Sequence, residues 1–175
     1  AWTLPEETNG TFNGKETPTG PSPVPVVQLS FEDKSMASVK RKELTSYLPM
    51  EVCAAYAQKG FKGELYDWQA ACLEMPGVLS LGKNIVYCAP TSGGKSLVSE
   101  VIMLRRIIAT NRQALLVLPY VSLCAEKASH LQVITQSMGT QVFHCYGSHK
   151  IGERLPGPDH SIIICTIEKA NTLVS

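Results

Sequence analysis

Several features that would indicate a specialised class of protein are missing from this sequence. Its 175 residues contain no stretch near the ~18 consecutive apolar residues of a membrane span. The N-terminal residues have neither the basic start nor the apolar core of a secretory signal. Charge of one sign is not in excess, because 16 Lys and Arg stand against 15 Asp and Glu. No membrane partner is therefore expected, and charge alone identifies no polyanionic partner.

A metal-binding cysteine pattern is also missing. No C-x-x-C pair occurs, and the four histidines have no ligand-like spacing, so a structural zinc site is not expected. Each cysteine lies in an apolar or helical run, which predicts reduced thiols buried as small hydrophobic residues in a reducing compartment. The six are Cys53, Cys72, Cys88, Cys124, Cys145 and Cys165.

Proline and small polar residues are concentrated near the N-terminus. Residues 1–30 hold five of the eleven prolines, with many Thr, Ser and Asn. Such a stretch cannot bury enough apolar surface to offset the entropy lost on ordering. We therefore predict a flexible leader rich in Pro, Gly, Ser and Thr over residues 1–45 and a structured part over residues 46–175.

From residue 46 onward, helix and strand patterns alternate. Helices are predicted from Pro49 to Gly60, over 65–75, 96–109 and 122–137, and from Ile167 onward. Strands are predicted over 83–88, 114–118, 141–146 and 161–165. The strand segments are apolar on both faces, which is typical of a parallel sheet covered by helices. The predicted fold class is therefore α/β.

The most informative segment is APTSGGKS at residues 89–96, between a predicted buried strand and a predicted helix. Gly93 and Gly94 let backbone amides turn toward a polyphosphate, Lys95 reaches the β and γ phosphates, and Ser96 can ligate Mg²⁺. The positive end of the following helix adds to this anion site. The general phosphate-loop pattern has glycine at position 89, where this chain has alanine.

That alanine is informative, because A-x-T-x-x-G-K-[ST] resembles motif I of the superfamily 2 helicases. The resemblance implies a P-loop NTPase with a RecA-like parallel sheet flanked by helices, ATP and Mg²⁺ as cofactors, and catalytic roles for Lys95 and Ser96. Upstream, LYDWQ at residues 65–69 resembles the Q motif, in which Gln69 would bind the adenine edge beside a stacking Phe61. The implied loop contacts are Pro90, Thr91, Ser92, Gly93, Gly94, Lys95 and Ser96.

Two further turns resemble motifs that hold nucleic acid in the same family. LPYVS at residues 118–122 is similar to motif Ia, and CTIEKA at residues 165–170 is similar to motif Ib. A helix N-terminus with a hydroxyl binds a phosphate without net positive charge, which agrees with the balanced composition. The resemblance implies nucleic-acid contacts by Pro119, Tyr120, Ser122, Thr166 and Lys169.

Within superfamily 2, four stretches resemble the helicase domains of the polymerase theta family: LYDWQAACL, NIVYCAPTSGGKSLVSEVIMLRR, ALLVLPYVSLCAEKASHL and CTIEKANTLV. This implies an ATP-dependent DNA helicase or translocase that acts on single-stranded DNA in DNA repair, in the nucleus. The alternatives are a related repair helicase without a polymerase domain, a superfamily 2 RNA helicase, a non-catalytic nucleotide- or DNA-binding module, and a small P-loop kinase.

The sequence has no D-E-x-H box, the acidic motif that would hold Mg²⁺ and position the attacking water. It also has no second RecA-like lobe. We therefore expect residues 46–175 to be the N-terminal part of an incomplete first lobe, with the second lobe of the same polypeptide as its partner. The chain is expected to bind ATP with little turnover by itself.

Overall fold

The computed structural model describes residues 26–27, 42–80, 82–147 and 158–174. The helices are α1 (Met50–Gln58), α2 (Asp67–Glu74), α3 (Lys95–Thr110), α4 (Val121–Ile134) and α5 (Ile167–Val174). The strands are β1 (Val26–Val27), β2 (Val86–Tyr87), β3 (Ala114–Leu118), β4 (Val142–Cys145) and β5 (Ile162–Thr166). Short 3-10 helices cover Leu44–Ser46 and Gln136–Met138. From α1 onward this is the predicted order of elements.

A three-stranded parallel sheet lies at the centre of the described structure, in the order β3–β5–β4. Strand β5 therefore has a hydrogen-bonded neighbour on each side, and every one of its residues is buried. Its isoleucine run suits this position, because β-branched side chains pack well when both faces of a strand are covered. In the register, Leu118 lies opposite Thr166, so β3 and β5 end side by side.

Alternate residues of β5 enter two separate clusters. Ile162 and Ile164 belong to the main core together with buried residues of α1, α2, α3 and α4. Ile163 and Cys165 point to the opposite face and pack with Cys145 and with Ala170 of α5. The first face carries most of the core, and the second is covered less completely, since Leu115 on that face of β3 is an exposed hydrophobic residue.

The longer helices form because their buried residues recur at helical spacing. The buried apolar residues are Val98, Val101, Leu104 and Ile107 in α3, and Cys124, Ala128, Leu131 and Ile134 in α4. Asn111 follows the last residue of α3. Its left-handed φ of 52° provides the usual C-terminal turn, and its N–H donates to the Ile107 carbonyl.

Strand β2 differs from the prediction. The segment 83–88 was expected to be a buried strand, but only Val86–Tyr87 is extended, and it pairs with β1 rather than with the three-stranded sheet. Val86 is 52% exposed and Cys88 is also exposed. The predicted burial is therefore wrong here, because within the described ranges no layer covers the outer side of β2.

The remaining cysteines follow the prediction more closely. All six are free thiols, Cys53 is half-buried, and the other four are buried. The described helices include none that is long and apolar enough to cross a membrane.

Ordered contacts begin before the predicted boundary at residue 45. The Lys42 carbonyl accepts the Leu65 N–H at 2.9 Å, and the Leu44 N–H donates to the Gly63 carbonyl at 2.8 Å, with the Leu44 side chain buried. Val26–Val27 also forms a strand that the sequence pattern did not indicate. Residues 1–25 and 28–41 lie outside the described residues, so the flexibility of the leader stays a prediction.

The central position of β5 predicts unequal effects of shortening side chains in neighbouring strands. Ile164→Ala should lower the free energy of unfolding by about 2–5 kcal/mol, because it leaves a cavity in a fully buried site. Leu115→Ala, on the exposed face of β3, should cost about 1 kcal/mol or less. Urea unfolding followed by circular dichroism measures both, and equal losses would contradict the assignment of β5 to the core.

Candidate functional site

The loop between β2 and α3 has a backbone that ordinary residues rarely adopt. Ser92 has a φ of 63° and Gly94 a φ of 77°, both in the left-handed region. Gly94 is the N-cap residue of α3, and no side chain caps the first turn of this 16-residue helix. The positive end of the helix thus faces the loop without a side-chain partner, which is the arrangement that favours a bound anion.

Lys95 lies folded back over the loop that precedes it. Its Nζ donates hydrogen bonds to the carbonyls of Ala89 and Pro90, each at 2.7 Å. The Tyr87 hydroxyl donates to the Lys95 carbonyl at 2.9 Å and so joins the start of α3 to β2. The lysine charge is therefore placed inside the loop, where a phosphate oxygen would be a stronger acceptor than the two carbonyls it now contacts.

Gln69 joins the start of α2 to this loop. Its Oε1 accepts the Tyr66 N–H at 2.8 Å, which is the half of a capping box that a glutamine at the third helical position supplies. Its Nε2 donates to the Gly94 carbonyl at 2.9 Å, and the residue is 2% exposed. The amide keeps one further N–H and one further lone pair beyond these two bonds.

The contact between Gln69 and Gly94 also explains why residue 94 is glycine. A Cβ built there would lie 2.6 Å from Gln69 Nε2, closer than atoms can approach, and φ would be strained as well. Gly93 has an ordinary φ, and a Cβ there would lie 3.0 Å from the Pro90 carbonyl oxygen. The two glycines therefore have different roles in the loop.

A cavity of about 500 Å³ adjoins the loop. It brings together five of the residues predicted to contact the nucleotide: Phe61, Gln69, Ser92, Gly94 and Ser96. Four others are not in its lining: Pro90, Thr91, Gly93 and Lys95. Pro90 and Thr91 are exposed, whereas Gly93 and Lys95 are half-buried.

A buried acidic residue that the sequence prediction missed also lines this cavity. Glu100 of α3 accepts the Tyr56 hydroxyl at 2.8 Å and the Lys127 Nζ at 2.7 Å, and its Oε2 lies 3.2 Å from His130 Nε2. Tyr56 belongs to α1, and Lys127 and His130 belong to α4. One carboxylate thus joins three helices, and we call Tyr56, Glu100, Lys127 and His130 the Glu100 cluster.

Burial alone would raise the pKa of Glu100, but the hydrogen bonds from His130, Lys127 and Tyr56 outweigh it and hold the pKa below its ordinary value. Burial, followed by the neighbouring Glu100 charge, raises the pKa of Tyr56. The cluster therefore contains an ionised carboxylate and a neutral phenol at neutral pH.

One signal in the sequence could have identified the cluster. Glu100 falls three residues after Leu97 and four before Leu104, so it lies on the apolar stripe of α3 rather than on a polar face. In α4, Lys127 likewise falls three residues after Cys124 and four before Leu131. Charged residues in core positions are rarely buried without a partner, and here they are partners of each other.

The two turns predicted to hold nucleic acid lie side by side. Leu118 and Thr166 are register partners at the ends of β3 and β5, so Pro119 and Ile167 begin neighbouring turns. Helices α4 and α5 start at these turns, and their N-termini therefore lie at the same edge of the sheet. Tyr120 is 67% exposed at the N-cap of α4.

The remaining predicted contacts differ in accessibility. Pro119 and Ser122 are exposed and Lys169 is half-buried. Thr166 is buried, and hydrogen bonds from the backbone amide of Glu168 and from the Thr166 hydroxyl lower the pKa of the Glu168 carboxyl. The Thr166 hydroxyl thus lies close to the Glu168 carboxylate at the start of α5.

Comparison with known proteins assigns most of this chain to one family. Residues 68–175 match the family model described as DEAD/DEAH box helicase. The chain is 42% identical over 130 residues to DNA polymerase theta of Drosophila melanogaster, which covers 73% of this chain and 6% of that protein. It is 40% identical over 134 residues to human Helicase POLQ-like, which covers 73% of this chain and 12% of that protein.

A solved structure supports the fold. A hypothetical ATP-dependent RNA helicase from Sulfolobus tokodaii superposes with a TM-score of 0.54 and 24% identity, over 71% of this chain and 36% of that one. The predicted RecA-like α/β fold with a parallel sheet flanked by helices is thereby confirmed, as is the resemblance to the polymerase theta family. The chain spans only a small part of the length of these relatives.

The fit between Gln69 and Gly94 predicts a specific sensitivity of the loop. Gly94→Ala should lower the free energy of unfolding by about 1 kcal/mol or more beyond the cost of Gly60→Ala, because both positions have left-handed φ but only the first meets another residue. Chemical unfolding measures both variants. Equal losses would show that Gln69 moves aside without cost and that its bond to the loop contributes little.

Proposed function

Because the chain belongs to the DEAD/DEAH box helicase family, we propose that it is the ATP-binding part of an ATP-dependent DNA helicase or translocase. The observation that carries this proposal is the bond from Gln69 to Gly94, which brings the Q-motif-like segment against the phosphate loop at one cavity. A phosphate loop alone indicates a nucleotide, whereas a glutamine beside it adds a means of selecting the base.

The loop residues fit a polyphosphate. The first-turn amides of α3 have no capping side chain, and Lys95 can exchange the carbonyls of Ala89 and Pro90 for phosphate oxygens. The exposed Ser96 hydroxyl is placed at the helix start, where it would hold Mg²⁺. Thr91 and Ser92 form a turn of the same loop, just before the helix. Bound Mg-ATP supplies the phosphoanhydride that such enzymes hydrolyse.

The base-binding side of the cavity also fits. Gln69 retains one N–H and one lone pair, the complementary pair that an adenine edge requires. Phe61 is half-buried in the same lining and contacts Tyr56 edge-to-face at 6.1 Å, so its ring is held in place before a base stacks on it. We propose that Gln69 selects adenine and that Phe61 supports the base.

The neighbouring turns after β3 and β5 suit one strand of nucleic acid. The helix starts at Tyr120–Ser122 and Thr166–Lys169 would bind successive phosphates through amides and hydroxyls, which do not read sequence. Tyr120 has an exposed ring that can stack on a base. We propose single-stranded DNA as the ligand because relatives at 40% and 42% identity include one named DNA polymerase theta.

Hydrolysis and strand movement belong to the whole protein in this proposal. The sequence lacks a D-E-x-H box, and the acidic pair and arginine finger are the groups on which phosphoryl transfer depends most. We propose that the chain binds ATP and DNA, that a second RecA-like lobe of the same polypeptide completes the ATPase, and that the protein acts in DNA repair in the nucleus. A nucleotide- or DNA-binding module without catalysis is the second candidate.

Removal of the loop lysine should selectively weaken nucleotide binding. Lys95→Ala is expected to weaken Mg-ATP binding about 10- to 100-fold, because it removes charge-assisted hydrogen bonds. Ser96→Ala should weaken binding with Mg²⁺ but not with EDTA. The control Arg112→Ala removes an exposed positive charge just beyond the far end of α3. Calorimetry measures the affinities, and wild-type affinity in Lys95→Ala would overturn the site.

In the full-length protein, Lys95→Ala should abolish DNA-stimulated ATP hydrolysis. The second candidate, a binding module without catalysis, predicts no hydrolysis in the full-length wild type or in the full-length variant.

Binding of the nucleic-acid strand should depend on the start of α4. Ser122→Ala is expected to weaken binding of a fluorescent single-stranded DNA about 2- to 10-fold, the effect of one lost hydrogen bond. Ser129→Ala removes another exposed serine of the same helix and should have no effect. Fluorescence anisotropy compares the affinities for DNA and RNA of the same sequence. Binding of RNA alone would favour the RNA helicase assignment over the DNA helicase assignment.

A further inference from the structure

Glu100 is the one charged side chain among the buried residues of the described ranges. Its carboxylate is shared by α1 through Tyr56 and by α4 through Lys127 and His130, while its own helix begins at the phosphate loop. A buried carboxylate that lost these donors would remain as an uncompensated charge, so its partners are strongly constrained to move with it.

The Glu100 cluster contacts Phe61, the residue proposed to support the base. The Tyr56 ring makes edge-to-face contacts with Phe61 and His130, with ring centroids 6.1 Å and 5.8 Å apart. The Tyr56 hydroxyl donates a hydrogen bond to Glu100. Phe61 and all four members of the cluster line the same cavity. A ligand that fills this cavity therefore contacts the cluster directly.

The other end of the cluster leads to the proposed nucleic-acid turn. Lys127 and His130 lie about two to three turns into α4, the helix whose N-cap is Tyr120 and whose second residue is Ser122. A helix moves as a rigid element, so a shift of Lys127 or His130 changes the position of the amides and the hydroxyl at its start.

We propose that Tyr56 and Glu100 are positioning residues that couple occupancy of the nucleotide cavity to the binding of single-stranded DNA at the start of α4. This inference rests on the proposed function, since it assigns a regulatory link between its two ligands. The link is reciprocal: if the nucleotide changes the affinity for DNA by some factor, DNA changes the affinity for the nucleotide by the same factor.

The chain offers a matched control away from the cavity. Tyr47 donates its hydroxyl to Glu74 at 2.9 Å, and Lys42 forms an ion pair with Glu74 at 2.9 Å, so the chemistry repeats that of Tyr56, Glu100 and Lys127. None of these three control residues lines the cavity. The effect of losing a tyrosine–glutamate hydrogen bond can thus be compared between Tyr56–Glu100, which lines the cavity, and Tyr47–Glu74, which does not.

The experiment measures the affinity of a fluorescent single-stranded DNA with and without saturating Mg-ATP in the 175-residue chain. In the wild type and in Tyr47→Phe, Mg-ATP should change this affinity by a factor in the range of about 5 to 150. In Tyr56→Phe, which keeps the ring contacts and removes only the hydroxyl, the factor should fall to about 2 or less. Glu100→Gln should act in the same way.

If Tyr56 contributed to stability alone, Tyr56→Phe would not change the ratio of the DNA affinities measured with and without Mg-ATP. This ratio therefore separates a coupling role from a purely structural one. Hydrogen exchange at Val121–Cys124 provides a second measurement: Mg-ATP should alter it in the wild type and Tyr47→Phe but not in Tyr56→Phe. If the wild type binds neither ligand, the proposed function fails and the inference falls with it. If both ligands bind and Tyr56→Phe keeps the wild-type factor, or if the wild-type factor is one, only the inference is overturned.

Discussion

The hydrogen bond from the Gln69 amide to the Gly94 carbonyl is the contact on which the candidate site depends. It requires glycine at position 94 for two reasons, the left-handed backbone and the lack of room for a Cβ. Through it, the start of α2 is fixed against the start of α3, so that Phe61 and Gln69 border the same cavity as Ser96. Without that contact, the proposed base-binding residue Gln69 and the proposed phosphate loop would be joined only by the packing of α2 on α3.

The parallel sheet supplies the second constraint. Because β3 and β5 are neighbours in register, the turns that follow them lie at one edge, and the helices that start there present their N-termini together. A chain with nearly equal numbers of positive and negative side chains therefore presents two neighbouring helix N-termini at the surface proposed to bind a phosphate backbone. The direction of the strands, rather than the net charge, creates this surface.

The sequence predicted most elements because their patterns are local. The helical spacing of Val98, Val101 and Leu104 and the isoleucine run of β5 need no knowledge of distant residues. The burial of β2 was predicted wrongly because an apolar run indicates only that a strand favours burial. Whether another element packs on it is decided by distant parts of the chain. The resemblance to motif I and the Q motif identified the candidate residues, but the direct contact of Gln69 with the loop depends on the backbone of Gly94. The Glu100 cluster was missed because it is formed by three helices, although an acidic residue on the apolar stripe of α3 was visible.

The folded-back position of Lys95 has a consequence for selectivity. Its ammonium group already has two good hydrogen bonds, to the carbonyls of residues 89 and 90, so a ligand gains only the difference between its own acceptors and those carbonyls. For an uncharged ligand such as a nucleoside, that difference is close to zero, whereas for a polyphosphate it is large. In the proposed ATP site, the position of Lys95 therefore favours charged molecules over neutral molecules with the same base.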